Sequence, residues 1–156
     1  MPMVYGLSLA TRGSVTGGVA DTEFGVMQIR VGVRSAALQA FYVTGKGAGL
    51  TAISGITFAV ITVTTPGAAG TALTPQPKDP GMQAAKATAS SAHTIGTVGR
   101  LNHIVFGCGA AGPGGWVAPN PDSVVLREGG SGHAHEVISI SGTASLKFEW
   151  SGEMVE

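Results

Sequence analysis

The hydrophobic residues of this chain recur mainly at every second position, which is the period of a β-strand. In VMQIRVGVR, residues 26–34, Met27 and Ile29 alternate with Gln28 and Arg30. Successive side chains of a strand point to opposite faces of its sheet. This segment therefore predicts a sheet with one apolar face and one face in water.

Residues 53–65, ISGITFAVITVTT, have a different pattern because both sets of alternating positions are apolar. Phe58 and Val60 belong to one face, whereas Ala59 and Ile61 belong to the other. A strand that is apolar on both faces is typical of the interior of a sheet. We therefore expect this segment to be a central strand.

Near the C-terminus, SLKFEW (residues 145–150) alternates hydrophobic and polar residues strictly, so this strand has a clear inner face. We expect one core between two sheets to hold the large residues of this segment and of the central strand, namely Phe58, Val60, Phe148 and Trp150.

Weaker strand patterns occur in YGLSLA, ALQAFYV, LNHIVF, SVVL and EVISIS, and turn-rich pieces such as TPGAAG and GAAGPGG separate them. Only MQAAKATASS, residues 82–91, has a composition that allows a short helix, and its Thr and Ser residues disfavour one. With no internal repeat and no interdomain linker, the chain predicts one all-β domain over residues 1–156. We expect an antiparallel β-sandwich or jelly roll of about eight strands.

Composition narrows the function classes. The 156 residues include 25 glycines, only 12% are charged, and nine basic residues balance nine acidic ones. Without a basic cluster, neither nucleic acid nor an anionic membrane is an expected partner. The longest apolar run is too short to span a bilayer, and the first residues make a poor signal peptide, so we expect a soluble chain that starts near Met1. Cys108 is the single cysteine, which excludes an intrachain disulfide.

The stretch GHAHE, residues 132–136, is the first candidate for chemistry because His-x-His begins several metal sites. It partly resembles the motif of the cupin family, which adds a glutamate a few residues later and then a third histidine. Here Glu136 follows His135 directly, and no histidine comes after it. Strand parity also turns Glu136 away from His133 and His135. We therefore expect histidines at the rim of a solvated loop, no metal and no cofactor.

The second candidate is HIVFGCGAAG, in which Gly107, Gly109 and Gly112 have the spacing of a dinucleotide-binding motif, with Glu128 further along the chain. That motif requires a helix after the glycines to hold the pyrophosphate. The following PGGWVAPNP is incompatible with a helix. We expect a glycine-rich hairpin or interface loop, with no bound nucleotide. No pattern of catalytic residues stands out, so an enzyme is not expected.

The second half of the chain resembles a group of small β-sandwich proteins found in the virions of tailed bacteriophages. The resemblance covers about residues 71–151 and rests on TPQPKDPGMQAAKATASS, GGWVAPNPDSVVL and SISGTASLKFEW. These segments match a Pro-rich loop, an Ala- and Thr-rich arm, a Trp followed by prolines, and a final strand that ends in Phe-Glu. The resemblance implies a jelly-roll virion component, most plausibly a decoration (cement) protein on the outside of the capsid.

That resemblance also implies a partner and an assembly. The partner would be the major capsid protein, and the chain would form a homo-oligomer, most plausibly a trimer. We expect the contacts in residues 74–92 and in GAAGPGGW, with the interface residues Pro75, Pro77, Asp79, Pro80 and Trp116. The alternative is a carbohydrate-binding or adhesin module, whose candidate aromatic residues are Tyr42, Trp116 and Trp150. A β-rich domain with another partner, or a cupin-like or other enzyme, are the remaining hypotheses.

Overall fold

The computed structural model describes residues 3–8, 15–16, 23–31, 34–46, 56–108, 113–120, 125–126, 133–141 and 147–156. Within these ranges there are thirteen β-strands and no helix. The strands are β1 (Val4–Ser8), β2 (Val15–Thr16), β3 (Phe24–Arg30), β4 (Ala36–Lys46), β5 (Ile56–Val63), β6 (Thr71–Leu73), β7 (Gln76–Pro77), β8 (Thr88–Ser91), β9 (Leu101–Cys108), β10 (Pro113–Val117), β11 (Val125–Leu126), β12 (Ala134–Ser141) and β13 (Lys147–Val155).

The strands form two antiparallel sheets. The seven-stranded sheet has the order β10-β4-β13-β1-β7, with β11 paired to β4 and β2 paired to β13. The six-stranded sheet has the order β6-β8-β3-β12-β5-β9. The predicted all-β sandwich is therefore confirmed, whereas the jelly-roll connectivity stays a prediction. In the described part of the chain, no helix could cross a membrane.

The predicted strands agree with the observed ones in most segments. Each of the five weaker patterns overlaps a strand, namely β1, β4, β9, β11 and β12, and β5 lies inside its sheet between β12 and β9. The helix considered for residues 82–91 is absent, since Thr88–Ser91 form β8 beside β3. The additional strands are mostly two or three residues long, which is too short to produce an alternating pattern.

A core between the two sheets holds the largest hydrophobic side chains. Phe41 on β4 is its centre, because its ring lies 5.4 Å from that of Trp150, 6.1 Å from that of Phe58 and 6.0 Å from that of Phe106. Val60 belongs to the same cluster. The shared core predicted for Phe58, Val60 and Trp150 is therefore confirmed, while the side chain of Phe148 lies outside the described residues.

The six-stranded sheet has a second buried face on its outer side. Ala59, Ile61 and Val63 of β5 pack there with Ala134 and Ile138 of β12. Gln28 of β3 points to the same side, yet it is fully buried. The prediction of a face in water is therefore wrong for this strand, because another part of the chain covers it.

Candidate functional site

Glu136 lies at the centre of this covered outer face. The strand register puts it opposite Gln28 on β3 and opposite Ile61 on β5, and residues directly opposite in antiparallel strands share a face. Residues 92–100, which we call the strap, cover this position: Ile95 packs on the apolar cluster and Gly96 binds Glu136. The side chain of Glu136 is completely buried as a result.

The Glu136 carboxylate accepts hydrogen bonds from two segments. Gln28 Nε2 donates to Oε1 at 2.9 Å, and the backbone N–H of Gly96 donates to Oε2 at 3.1 Å and to Oε1 at 3.3 Å. His93 Nε2 lies 3.5 Å from Oε2, which is within the range of an ion pair. A buried carboxylate is tolerated when N–H donors replace its lost water, and these groups do so here.

The same network extends to a second loop, residues 64–70, which we call the companion loop. Gln28 Oε1 accepts a hydrogen bond from Arg30 Nε at 2.7 Å, and Arg30 Nη2 donates to the carbonyl of Gly67. Glu136 orients the amide of Gln28, and Gln28 in turn orients the guanidinium of Arg30. One carboxylate is therefore linked to both loops.

Backbone hydrogen bonds join the strap to the companion loop. The N–H of Thr94 donates to the carbonyl of Ala68 at 3.0 Å, and the N–H of Thr64 donates to the carbonyl of Val98 at 3.1 Å. A Cβ on Gly96 would lie 2.7 Å from the carbonyl oxygen of Thr65, so the close approach of the two loops requires glycine there. The two loops thus form one continuous cover.

His93 is positioned by a glycine beneath it. A shift of register between Val137 and Ile138 of β12 places Gly25 of β3 opposite Ile138, on the covered face. A Cβ on Gly25 would lie 2.6 Å from His93 Cε1 and 2.7 Å from Nδ1. The imidazole therefore fills the space that a side chain at position 25 would take, which brings its other nitrogen to Glu136.

The electrostatics favour an ionised Glu136. Burial by itself raises the pKa of this carboxyl, but His93 beside it and the N–H donors of Gln28 and Gly96 outweigh burial and hold the pKa below its ordinary value of 4.5. At the end of the strap, Arg100 makes a two-pronged ion pair with Glu23, with N–O distances of 2.7 and 2.8 Å. This hydrogen-bonded pair also lowers the pKa of Glu23.

A carboxylate beside an imidazole is a common acid-base combination, so accessibility decides what this pair can do. The side chains of His93 and Glu136 are both completely buried. A hollow of about 420 Å³ lies beside the strap and is lined by Glu23, Gly25, Ala92, His93, Thr94 and Ile95. Both side chains are thus shielded from solvent, and the Glu136 carboxylate contacts the strap.

The GHAHE stretch divides between the two faces of β12, as its parity predicted. Glu136 points to the covered outer face, whereas His135 points the other way and its Nδ1 lies 2.9 Å from Thr62 Oγ1. The predicted position at a solvated rim is wrong for His135, which is fully buried because both faces of β12 are covered. His133 is half-buried just before the strand.

Within the described ranges, no group of three or more His, Cys, Asp or Glu side chains could hold a metal ion. His93 does approach Glu136, although it precedes GHAHE in sequence. The expectation that the chain purifies without metal stays a prediction. In the glycine motif, Gly107 is the next-to-last residue of β9, and Gly109 and Gly112 lie outside the described residues. Residues 113–117 form β10 and not the helix that a dinucleotide site requires.

The predicted interface residues occupy different environments. Pro77 belongs to β7 at the edge of the seven-stranded sheet, and both Pro75 and Pro77 are half-buried. Asp79 and Pro80 are exposed in a turn, in which Asp79 Oδ1 accepts the N–H of Gly81 at 2.9 Å. Trp116 differs because it packs in the core between the sheets and is only 7% exposed.

The Ala-rich arm after this turn is bound to the chain's own sheet. Tyr5 Oη donates a hydrogen bond to the carbonyl of Gln83 at 3.0 Å, and the N–H of Lys86 donates to the Glu156 carboxylate at 2.8 Å. Met82 and Ala85 pack against the core between the sheets. These hydrogen bonds and apolar contacts of the arm are therefore made within the chain.

Few sequence patterns indicate the cluster around Glu136. Gln28 looked like a residue on a solvated face, and His93 lies in a segment without a periodic pattern. The usable signals were the glycines Gly25 and Gly96, since an isolated glycine in a strand or loop often marks close approach of another backbone. Sequence alone does not say which segment approaches.

Comparisons with known proteins found no match to this chain. No protein-family model matches the chain, and neither a curated protein nor a solved structure matches it. The fold and the cluster therefore define a two-sheet β-sandwich with a covered polar network.

Proposed function

We propose that this chain is a non-enzymatic structural protein of a virus particle, a decoration (cement) protein that binds the major capsid protein on the outside of the head and stabilises the shell. The supporting observation is the side of the sandwich where β9 and β10 meet. Both are end strands of their sheets, and neither contains Lys, Arg, Asp or Glu. A sheet edge without charged residues favours association with another protein surface.

Exposed hydrophobic residues accompany these edges. Leu101 and Val105 of β9 are 59% and 55% exposed, and Val117 of β10 is 59% exposed. On the opposite side, β6 and β7 are only three and two residues long, and Pro75 and Pro77 lie beside or within them. Short edges with proline resist further strand pairing. This contrast supports the β9 and β10 side as the place of intermolecular contact.

A homo-oligomer, most plausibly a trimer, suits this role. Three shell subunits meet at the threefold positions of an icosahedral lattice, and a cyclic trimer matches that symmetry. Three weak neutral contacts made at once give tight attachment through their high effective concentration. Because few ion pairs are available at the uncharged edges, binding should fall little as salt increases.

The test is light scattering of the purified chain together with binding to capsids that lack decoration protein, at low and high salt. Val105→Lys places a charge on the β9 edge and should weaken self-association and capsid binding. Thr71→Lys places the same charge on the opposite edge, in β6, and should leave both unchanged. A monomer at high concentration that fails to bind capsids contradicts the proposal.

A carbohydrate-binding or adhesin module is the alternative, and the position of Tyr42 favours it. Tyr42 is exposed on the outer face of the seven-stranded sheet, and a Cβ on Gly115 would lie 3.2 Å from its Cδ1. An exposed aromatic ring beside a glycine offers a flat surface to a sugar. The other two candidates, Trp116 and Trp150, are buried in the core. Glycan binding that is lost in Tyr42→Ala would support this alternative.

A further inference from the structure

The cover on the six-stranded sheet is held by few apolar contacts. Ile95 is the strap residue that packs on the cluster of Ala59, Ile61, Val63, Ala134 and Ile138. Polar contacts also anchor the cover to the sheet: Glu136 binds the strap at Gly96, and Arg30 binds the companion loop at Gly67. In addition, the N–H of Ala92 donates to the carbonyl of Val26 on β3 at 3.4 Å. Hydrophobic burial usually holds the layers of a β-sandwich together. Here a hydrogen-bond network contributes much of the attachment between the cover and the six-stranded sheet.

We propose that the strap and the companion loop are an acid-releasable cover, with Glu136 as the catch, whose opening exposes the apolar outer face of the six-stranded sheet. This inference does not depend on the proposed function. It rests on the geometry by which one buried carboxylate accepts N–H groups from the sheet and from the strap.

Protonation of Glu136 weakens the hydrogen bonds that hold the cover on the sheet. A neutral carboxylic acid is a much weaker acceptor than a carboxylate, so the bonds from Gln28 and Gly96 lose their charge assistance. His93 Nε2 faces the same atoms, so the buried imidazole also loses the negative charge beside it. Both changes favour an open strap in which water solvates these groups.

The other charged groups around Glu136 do not replace it as the catch. From β3, Arg30 contacts Gln28 and the companion loop. From the strap, Arg100 is held by Glu23, which precedes β3. From β5 the facing residues are apolar, and the facing residues of β8 are Thr88 and Ser90, opposite Arg30 and Gln28. Within the described residues, Glu136 is the carboxylate inside the cover.

The effect of pH has a defined sign. The pKa of Glu136 is held below 4.5 while the cover is closed and returns toward that value when water reaches it. Proton binding therefore favours the open state as pH falls below 4.5. The population of the open state should rise by up to about tenfold per pH unit in the interval between the two pKa values. Above that interval the cover stays closed.

The experiment is hydrogen exchange by mass spectrometry over a pH series, with each rate divided by that of an unstructured peptide at the same pH. In the wild-type protein the strap should lose protection at acid pH while the peptides of β4 and β13 keep theirs. A fluorescent dye specific for apolar surfaces should bind over the same pH range. Loss of protection by the strap and by β4 together would overturn the proposal.

Two carboxylate variants identify the catch. Glu136→Gln has the same shape but cannot ionise, so its strap should already be open at neutral pH and insensitive to acid. Glu23→Gln removes the carboxylate at the other end of the strap and should keep the acid response. If Glu136→Gln does not fold, the wild type and Glu23→Gln still test the proposal. Disappearance of the acid response in Glu23→Gln would show that Glu23, and not Glu136, is the catch, and would overturn the proposal.

Discussion

His93 Nε2 lies 3.5 Å from Glu136 Oε2, with both side chains completely removed from solvent. Such a pair does not by itself guarantee stability, since both groups have lost their hydration. Removing one member lowers the free energy of unfolding by more than the pair contributes to it, because the other member is left buried without its partner. Among substitutions of polar residues, the largest losses of stability are therefore expected where this pair meets Gln28 and the strap.

The first prediction concerns Glu136→Gln at neutral pH. The amide retains an acceptor for Gln28 but loses the charge that faces His93 and Gly96, so the free energy of unfolding should fall by about 1–3 kcal/mol. Urea unfolding measures this loss. The surface variant Glu153→Gln is the control, since Glu153 pairs with Lys78 where both side chains are partly exposed, and it should lose about 1 kcal/mol or less.

The second prediction is that this loss depends on pH. Because the folded-state pKa of Glu136 is lowered, its ionisation stabilises the protein fully above the ordinary value of 4.5, and that contribution disappears as pH falls through the lowered pKa. The stability difference between the wild type and Glu136→Gln should therefore shrink at acid pH. Urea titrations across the pH series check this. A stability difference that grows toward acid pH would contradict the conclusion that folding lowers the pKa of Glu136.

The third prediction compares two glycines in strands. Gly25→Ala would place a Cβ against the carbonyl oxygen of His93 and 2.6 Å from its Cε1, so both the backbone and the ring of His93 must move. The unfolding free energy should therefore fall by about 1–3 kcal/mol. Gly6→Ala on β1 would place a Cβ 3.9 Å from the Gln76 carbonyl oxygen, which is ordinary contact. Thermal unfolding should show a large decrease for the first variant and a small change for the second. Equal decreases would show that His93 does not rest on Gly25.

The fourth prediction tests the core between the sheets. Phe41→Ala removes a buried ring that contacts three other aromatic rings and should cost about 3–5 kcal/mol. Tyr42→Ala changes the next residue, which points to the opposite, exposed face and should change stability by no more than about 0.5 kcal/mol. Denaturant unfolding of both variants gives the comparison. Similar small losses would mean that the register of β4 is shifted.

The central strand shows what the sequence could predict. In β5, Phe58 and Val60 enter one apolar cluster while Ala59 and Ile61 enter the other. This result follows directly from alternation, because each residue's face is fixed by its parity. Because both sets of alternating positions in this segment are apolar, the pattern indicated that both faces of the strand are covered.

The identity of the second cover could not be predicted in the same way. The strap lies more than 60 residues after Gln28, and Gly96 binds Glu136 through its backbone N–H, a group that every residue except proline carries. Gln28 and Arg30 alternate with apolar residues just as they would on a strand with one wet face. Parity correctly placed His135 and Glu136 on opposite faces of the strand. It did not indicate that both are buried, because parity does not say which segments cover each face.

The last prediction concerns Trp116, because it separates a core role from an interface role. Its indole is buried against the other core residues of the same chain, while the next residue, Val117, is 59% exposed. Trp116→Ala should therefore lower the free energy of unfolding by about 3–5 kcal/mol, and the loss should not depend on protein concentration. Val117→Ser should leave unfolding nearly unchanged and, under the proposed function, weaken capsid binding. If instead Trp116→Ala keeps its unfolding free energy and loses only oligomerisation, the indole serves the interface, and the packing of β10 on this sandwich is different from that described.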